Sequence, residues 1–169
     1  MSEDYRIQKA SIKGMDKDSI IWAVIEPMWN DLELDEDEDK EFMAAITPGQ
    51  RGFIAVDWLG KEVYNGGINQ FFGNSTGVLA HEAREGFRMI GCQRYVEMLD
   101  EVFALFPGGI VPKNREAREA AVEAIPENKR ESVFDAFDEA FYKMMDKTDP
   151  ITLPAMRYIE EHPQEFFTD

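Results

Sequence analysis

The sequence predicts a single all-α domain of about six to eight helices, and three observations support this prediction. Apolar residues recur at spacings of three and four, which is the period of an amphipathic helix, and no stretch alternates polar and apolar residues as a strand would. The chain has 169 residues, which is enough for one hydrophobic core. Apolar residues make up 44% of it and aromatic residues 12%, so the core can form despite the high charge. We therefore expect residues 1–169 to form one domain.

Capping residues place the helices of the first half. A first helix is expected after Asp16 or Asp18, with Pro27 marking a kink or a break. The segment TPGQ at 47–50 has the form of a capping box, with proline at the first helical position. The helix that begins there is expected to end at the Asn-Gly-Gly segment 65–67, because glycine tolerates the left-handed conformation of a helix C-cap.

The second half shows similar punctuation. An aromatic turn is expected around 71–72, and Ser75 or Thr76 can cap the following helix. Further helices are expected before Pro107, after Asn114 and after Pro126, and a last short helix near Thr152. The tryptophans occur at helical spacing among apolar residues, which is typical of core positions (Trp22, Trp29 and Trp58).

The charge balance excludes several classes of function. The chain has 34 acidic and 18 basic side chains, a formal charge of −16, which would repel nucleic-acid phosphates and anionic lipids. Direct nucleic-acid or membrane binding is therefore not expected. The first residues lack the apolar segment of a signal peptide, so a cytoplasmic location is expected. With one cysteine, Cys92, and two histidines, His81 and His162, neither a disulfide nor a structural zinc site is predicted, and we expect no cofactor.

The densest charge lies in an acidic segment, defined as residues 31–41. Lys40 is its only base, and its acids are Asp31, Glu33, Asp35, Glu36, Asp37, Glu38, Asp39 and Glu41. A solvated loop or helix end is the ordinary interpretation of such a run. A calcium-binding EF-hand is excluded, because its sixth position would be Lys40 instead of glycine and its twelfth Ile46 instead of glutamate.

A second group of acids recurs at spacings of three and four on the long helix predicted after Pro126. Its members are Glu127, Glu131, Asp135, Asp138 and Glu139. An α-helix rises about 1.5 Å per residue, so successive carboxylates lie roughly 5 to 6 Å apart, comparable with phosphates along a nucleic-acid strand. The row could be the polar face of an amphipathic helix, but two acidic regions flank a nearly neutral middle. This arrangement favours a binding surface.

Residues 64–77 contain no charged side chain and include two motifs. Gly73-Asn74-Ser75-Thr76-Gly77 matches the G-x-S-x-G pattern of a nucleophile elbow, which would make Ser75 a hydrolase nucleophile with Asp100 and His162. An elbow requires a buried strand before the serine, and none is predicted there. We interpret the glycines as a tight corner between helices, where Asn65, Gln70 and Asn74 can bind the backbone groups that the corner leaves without partners.

The same stretch carries a family resemblance. EVYNGGINQFFGNSTG within residues 58–77, followed by AHEAREGFRMIG, resembles the bacterial DNA-mimic protein family, small acidic all-α proteins with an NGGxxQFFxNxxG motif. The resemblance covers roughly residues 18–145. It implies a monomer or homodimer whose surface carboxylates imitate duplex phosphates and occupy the DNA-binding face of a transcriptional repressor. The motif itself contains no acids, so it predicts the fold, while mimicry depends on the charge elsewhere.

The leading hypothesis is therefore a non-enzymatic DNA mimic. Its partner would be a DNA-binding protein, either a helix-turn-helix transcription factor or a histone-like protein, bound by the acids of residues 31–41 and of the long helix. One alternative is an acidic immunity or antitoxin-type protein that neutralises a basic toxin or nuclease. A serine hydrolase acting through Ser75 is the other.

Overall fold

The computed structural model describes residues 4–34, 39–148 and 151–169. Its α-helices are α1 (Lys17–Trp29), α2 (Asp39–Ala45), α3 (Pro48–Gly73), α4 (Ala80–Met89), α5 (Gln93–Phe103), α6 (Arg115–Ala124), α7 (Glu127–Thr148) and α8 (Thr152–Glu161). Short 3-10 turns lie at Lys9–Ile12, Ser75–Leu79, Pro107–Gly109 and Pro163–Glu165. The extended pairing among the described residues is a single parallel bridge between Ile7 and Phe167. The all-α prediction is confirmed.

Local capping works as the sequence predicts at three helices. The Asp16 side chain accepts a hydrogen bond from the Ser19 backbone N–H at the start of α1. Thr47 and Gln50 form the reciprocal capping box of α3, and Asn114 caps α6. Each cap joins residues three apart, so the sequence alone contains the whole interaction.

Helix α3 does not end at the Asn-Gly-Gly segment 65–67, as the sequence predicted, but is only broken there. Gly66 and Gly67 have non-helical dihedrals, with φ +78° at Gly67, and the helix resumes and runs to Gly73. The expected aromatic turn at 71–72 is therefore the second half of α3, and both rings are buried. That prediction was wrong because the helix restarts immediately after the break.

Helix α3 is the centre of the fold, packing against α1, α4, α6 and α7, while α8 covers α1 and α5 joins α4 to α7. Helices α3 and α4 approach most closely where Gly52 faces Gly86. A Cβ on Gly86 would lie 2.6 Å from the Gly52 carbonyl oxygen, so this crossing leaves no room for side chains. The core around α3 is largely aliphatic and aromatic, including Met28, Ile54, Leu59, Phe87 and Phe141.

Two further differences from the sequence analysis concern helix starts. Neither Ser75 nor Thr76 caps α4, because its N-cap position is Leu79 and no side chain caps it. Helix α2 was not predicted, since it begins inside the acidic segment.

The prediction of core positions for the tryptophans is wrong for Trp22, while Trp29 and Trp58 are half-buried and pack against the core. Trp22 is 40% exposed, and Trp29 stacks on Trp58 with ring centroids 4.0 Å apart. The Lys61 ammonium lies over the Trp22 and Trp29 rings, a favourable cation–π contact at the edge of the core. Within the described part of the chain, no helix combines the length and apolar character needed to cross a membrane.

Candidate functional site

The acidic segment is described at its two ends. Asp31 follows α1, is exposed, and accepts a hydrogen bond from the Tyr5 hydroxyl at 2.8 Å. Glu33 and Glu41 are exposed as well, and α2 begins at Asp39. The predicted residues Asp35, Glu36, Asp37 and Glu38, and the side chain of Asp39, lie outside the described residues. The described carboxylates of this segment therefore face solvent.

The acids predicted on the long helix lie on α7, and four of them are exposed at intervals of one turn: Glu127, Glu131, Asp135 and Glu139. The buried side of α7 carries Phe134, Phe137 and Phe141. Glu139 pairs with Lys143 at 3.4 Å, an ion pair in which both side chains are largely exposed. We call these four carboxylates the α7 row.

Asp138 differs from the other predicted acids, because its carboxylate turns towards α3. Its Oδ1 accepts a hydrogen bond from the Ile68 N–H at 2.8 Å, immediately after the Gly66–Gly67 break. Burial raises the pKa of Asp138, the Ile68 hydrogen bond opposes this, and the nearby charge of Asp135 adds to it. Asp138 thus has a structural partner inside the molecule, and we do not include it in the α7 row.

Helix α6 carries further exposed acids that the sequence analysis missed. Glu116, Glu119 and Glu123 occur at spacings of three and four, and Glu119 pairs with Arg115 at 2.9 Å. The next exposed acid along the chain is Glu127, the first member of the α7 row. The same helical spacing that revealed the α7 acids could have revealed these three.

The uncharged motif is organised by an acid just outside it. The Glu62 carboxylate accepts hydrogen bonds from the side chains of Gln70 at 2.7 Å, Asn74 at 2.9 Å and Thr76 at 2.9 Å. Gln70 and Asn74 therefore use their amides on Glu62 and not, as expected, on the backbone of the corner. This network joins the first half of α3 to the chain that follows its second half.

A buried guanidinium completes the corner. Arg118 of α6 is fully buried and donates to the carbonyl oxygens of Phe72, Asn74, Pro112 and Lys113, at 2.6 to 3.0 Å. Its side chain also fills the space where a Cβ on Gly77 would lie. The glycines, amides and aromatic rings of the motif thus have architectural roles.

The arrangement around Ser75 does not form a nucleophile elbow. Helix α3 ends at Gly73, two residues before Ser75, and Ser75 begins a 3-10 turn, whereas an elbow follows a strand. Asp100 accepts from Arg84 at 3.0 Å, and the His162 ring stacks on Tyr158 with its Nδ1 3.1 Å from the Tyr158 carbonyl oxygen. The proposed triad partners therefore have other contacts.

Two other residues considered from the sequence occupy structural positions. Cys92 is buried, and His81 is half-buried with Nε2 3.1 Å from the Val111 carbonyl oxygen. Among the described residues, no three or more histidine, cysteine, aspartate or glutamate side chains are grouped so that they could hold a metal ion.

Comparison with known proteins bears on the motif and on the helices around it. A family model described as DMP19-like protein matches residues 44–162, which extends from α2 to the end of α8. Comparison with curated proteins and with solved structures gave no significant match. The matched region contains the broken helix α3, the Glu62 and Arg118 networks and the α7 row. The chain belongs to the DMP19-like protein family.

Proposed function

We propose that this protein is a DNA mimic that binds the DNA-binding face of a basic DNA-binding protein and so competes with DNA. The partner class is a helix-turn-helix transcription factor or a histone-like protein, and the consequence is regulation of transcription in the cytoplasm. The contact groups are the α7 row and the acidic segment. The protein performs no chemistry in this role.

Membership of the DMP19-like family is the observation that carries this proposal, because that family is one of DNA mimics. The fold motif contains no acids, so family membership alone does not identify the contact surface. The charge of this particular chain, −16, supplies the second argument.

The α7 row gives the charge a periodic arrangement. Residues four apart on a helix are separated by about 6 Å along its axis. The row is exposed over its whole length because the phenylalanines on the other side of α7 hold the helix against the core. A rigid line of carboxylates can meet the lysine and arginine side chains that a DNA-binding protein uses for phosphates.

Electrostatic attraction between opposite net charges would speed association of such a pair. Added salt screens exposed charges beyond a Debye length of about 8 Å at physiological ionic strength. The affinity for the partner should therefore fall as salt rises.

The first test is affinity capture from lysate of the source cell, with the full chain as bait and elution by duplex DNA. Mass spectrometry then identifies the eluted proteins. A DNA-binding protein released by DNA would support a shared site. A toxin or nuclease as the principal partner would instead favour the immunity-type alternative.

The second test assigns the surface with charge-matched variants. One variant neutralises the α7 row (Glu127→Gln, Glu131→Gln, Asp135→Asn, Glu139→Gln), and another neutralises part of the acidic segment (Glu33→Gln, Asp35→Asn, Asp37→Asn, Glu41→Gln). The control removes four exposed acids of α5 and α8 (Glu97→Gln, Glu101→Gln, Glu160→Gln, Glu161→Gln).

We expect the first two variants to bind the captured partner at least about tenfold more weakly, equivalent to about 1.4 kcal/mol, and the control to bind nearly as well as the parent. Circular dichroism checks that each variant remains helical. Equal loss in all three variants would mean that only net charge matters. Unchanged affinity in the first two would remove the assignment of these carboxylates.

A further inference from the structure

A cavity of about 580 Å³ opens between α1, α3 and α8. Its walls are mainly aliphatic and aromatic and include Ile21, Ile25, Phe53, Val56, Ile151 and Ala155. Pockets that bind small organic molecules have volumes of about 300 to 1,000 Å³ and apolar walls with a few placed polar groups. The cavity meets both criteria.

The charged side chains among the described lining residues are Asp18, Asp57 and Lys61. Asp57 pairs with Lys61 at 2.6 Å, and its side chain is only 22% exposed, against 46% for Lys61. Asp18 accepts a hydrogen bond from the Thr152 hydroxyl at 2.8 Å. These described groups carry two negative charges and one positive charge, so the lining has an excess of carboxylate.

Asp57 is a largely buried carboxylate in this lining. Desolvation by burial raises its pKa, and the hydrogen bond and charge of Lys61 oppose that rise. A second ammonium beside Asp57 would oppose the same rise in its pKa, as Lys61 does.

The ammonium group of Lys61 already binds beside Asp57. Lys61 Nζ lies 4.0 Å from the centroid of the Trp29 ring and 4.6 Å from that of Trp22, in addition to its contact with Asp57. Of these groups Asp57 and Trp22 line the cavity, and a carboxylate near an indole ring is a favourable environment for an organic cation. The net charge of −16 also raises the local concentration of cations over that of anions.

We propose that this cavity binds a small amphiphilic amine, with its ammonium at Asp57 near Trp22 and its hydrocarbon body against the apolar walls. This site is separate from the carboxylates proposed to contact a DNA-binding protein, and it does not depend on that function. Lys61 acts as an internal competitor for the same carboxylate.

The test uses calorimetry and tryptophan fluorescence on the full chain with three eight-carbon probes, octylamine, octanoate and octanol, below their aggregation concentrations. Trp22 lines the cavity and reports on its occupancy. We expect saturable binding of octylamine, at least about tenfold tighter than that of octanoate, with octanol between them. Absence of saturable octylamine binding, or tighter binding of octanoate, would overturn the proposal.

Two single variants make the assignment specific. Asp57→Asn should weaken octylamine binding about tenfold, and Lys61→Gln should strengthen it severalfold, because the internal competitor is gone. The matched controls Asp100→Asn and Lys143→Gln change the same charges at exposed sites outside the cavity lining and should have little effect. The reverse pattern at 57 and 61 would indicate an anion site and overturn the proposal.

A third variant tests the location independently of charge. Gly60 lines the cavity, and a Cβ there would meet only the edge of Phe141, at 4.0 Å, so Gly60→Leu can add volume without a backbone clash. It should weaken all three probes. Undiminished binding in this variant would place the probes elsewhere and refute the site, even if Asp57→Asn failed to fold.

Discussion

Arg118 and Glu62 each use one charged side chain to bind several polar groups in the second half of α3 and in the turn that follows it. Arg118 uses its planar guanidinium to satisfy carbonyl oxygens at the end of α3 and in the segment before α6. A buried charge is costly unless it is hydrogen-bonded, and here the carbonyl dipoles supply that compensation. Glu62 performs the complementary task, accepting from two amides and a hydroxyl.

Replacing Arg118 should therefore destabilise the protein strongly. We expect Arg118→Met to lower the free energy of unfolding by about 4 kcal/mol, because buried carbonyl oxygens lose their hydrogen-bond donors. Arg118→Lys should lower it by about 2 kcal/mol, because one ammonium group cannot reach all of these carbonyl oxygens. Urea denaturation followed by circular dichroism measures both values. The control is Arg115→Met on the same helix, whose exposed ion pair with Glu119 is worth less than about 1 kcal/mol. Similar losses at 115 and 118 would contradict this role.

At the scale of elements, α7 supports the break in α3 on both sides. Tyr142 donates its hydroxyl to the Val63 carbonyl oxygen at 2.6 Å, and Asp138 accepts from the Ile68 N–H, so two α7 side chains one turn apart bind backbone groups before and after the break. Helix ends leave such groups without intrahelical partners. One face of α7 therefore holds α3, while its outer face presents the α7 row.

The glycine at the break has a specific requirement. Gly67 has φ +78°, and a Cβ there would run into the Asp138 carboxylate, so Gly67→Ala adds backbone strain of about 1 to 2 kcal/mol and disturbs the Asp138 contact. We expect this variant to lose at least about 2 kcal/mol of unfolding free energy in thermal and urea denaturation.

Gly73→Ala is the matched control for that substitution. Gly73 ends the same helix and has open space at its Cβ position, so alanine should leave the stability unchanged or raise it by up to about 1 kcal/mol. If Gly67→Ala were as well tolerated as Gly73→Ala, the break would not require glycine.

At the scale of the whole molecule, like-charge repulsion outweighs the attraction within ion pairs. The formal charge is −16, and several described ion pairs join residues one turn apart on one exposed helix face, including Arg94 with Glu97 and Lys143 with Glu139. Exposed pairs of this type contribute only about 0 to 1 kcal/mol each. Screening should therefore remove more repulsion than attraction.

We expect the midpoint of thermal unfolding to rise by several degrees when sodium chloride is increased from about 20 mM to about 500 mM. Differential scanning calorimetry measures the midpoint. The variant with a neutral α7 row should show a smaller rise, because it carries less repulsion. A midpoint that is independent of salt, or falls with it, would contradict the dominance of repulsion.

The features predicted from the sequence are those formed between near neighbours in the chain. The caps at Asp16, Thr47 and Asn114 join residues three apart, and the acids of α7 recur at helical spacing. The family resemblance also came from a short stretch of sequence, and a DMP19-like family model matches residues 44–162. The exposed acids of α6 were missed, although the same spacing rule applies to them.

The sequence by itself determined the helical class, most helix starts, the net charge and the exposed acids of the α7 row, because period and composition require no knowledge of distant contacts. Only the tertiary structure decided that Asp138 binds α3, that Arg118 is buried, and that Trp22 and Lys61 line a cavity. The Asp138 contact joins residues 70 positions apart and that of Arg118 with Phe72 joins residues 46 apart. Such contacts depend on how the helices pack. The sequence of a helix does not show whether a polar side chain faces solvent or binds unpaired backbone groups of a neighbouring helix.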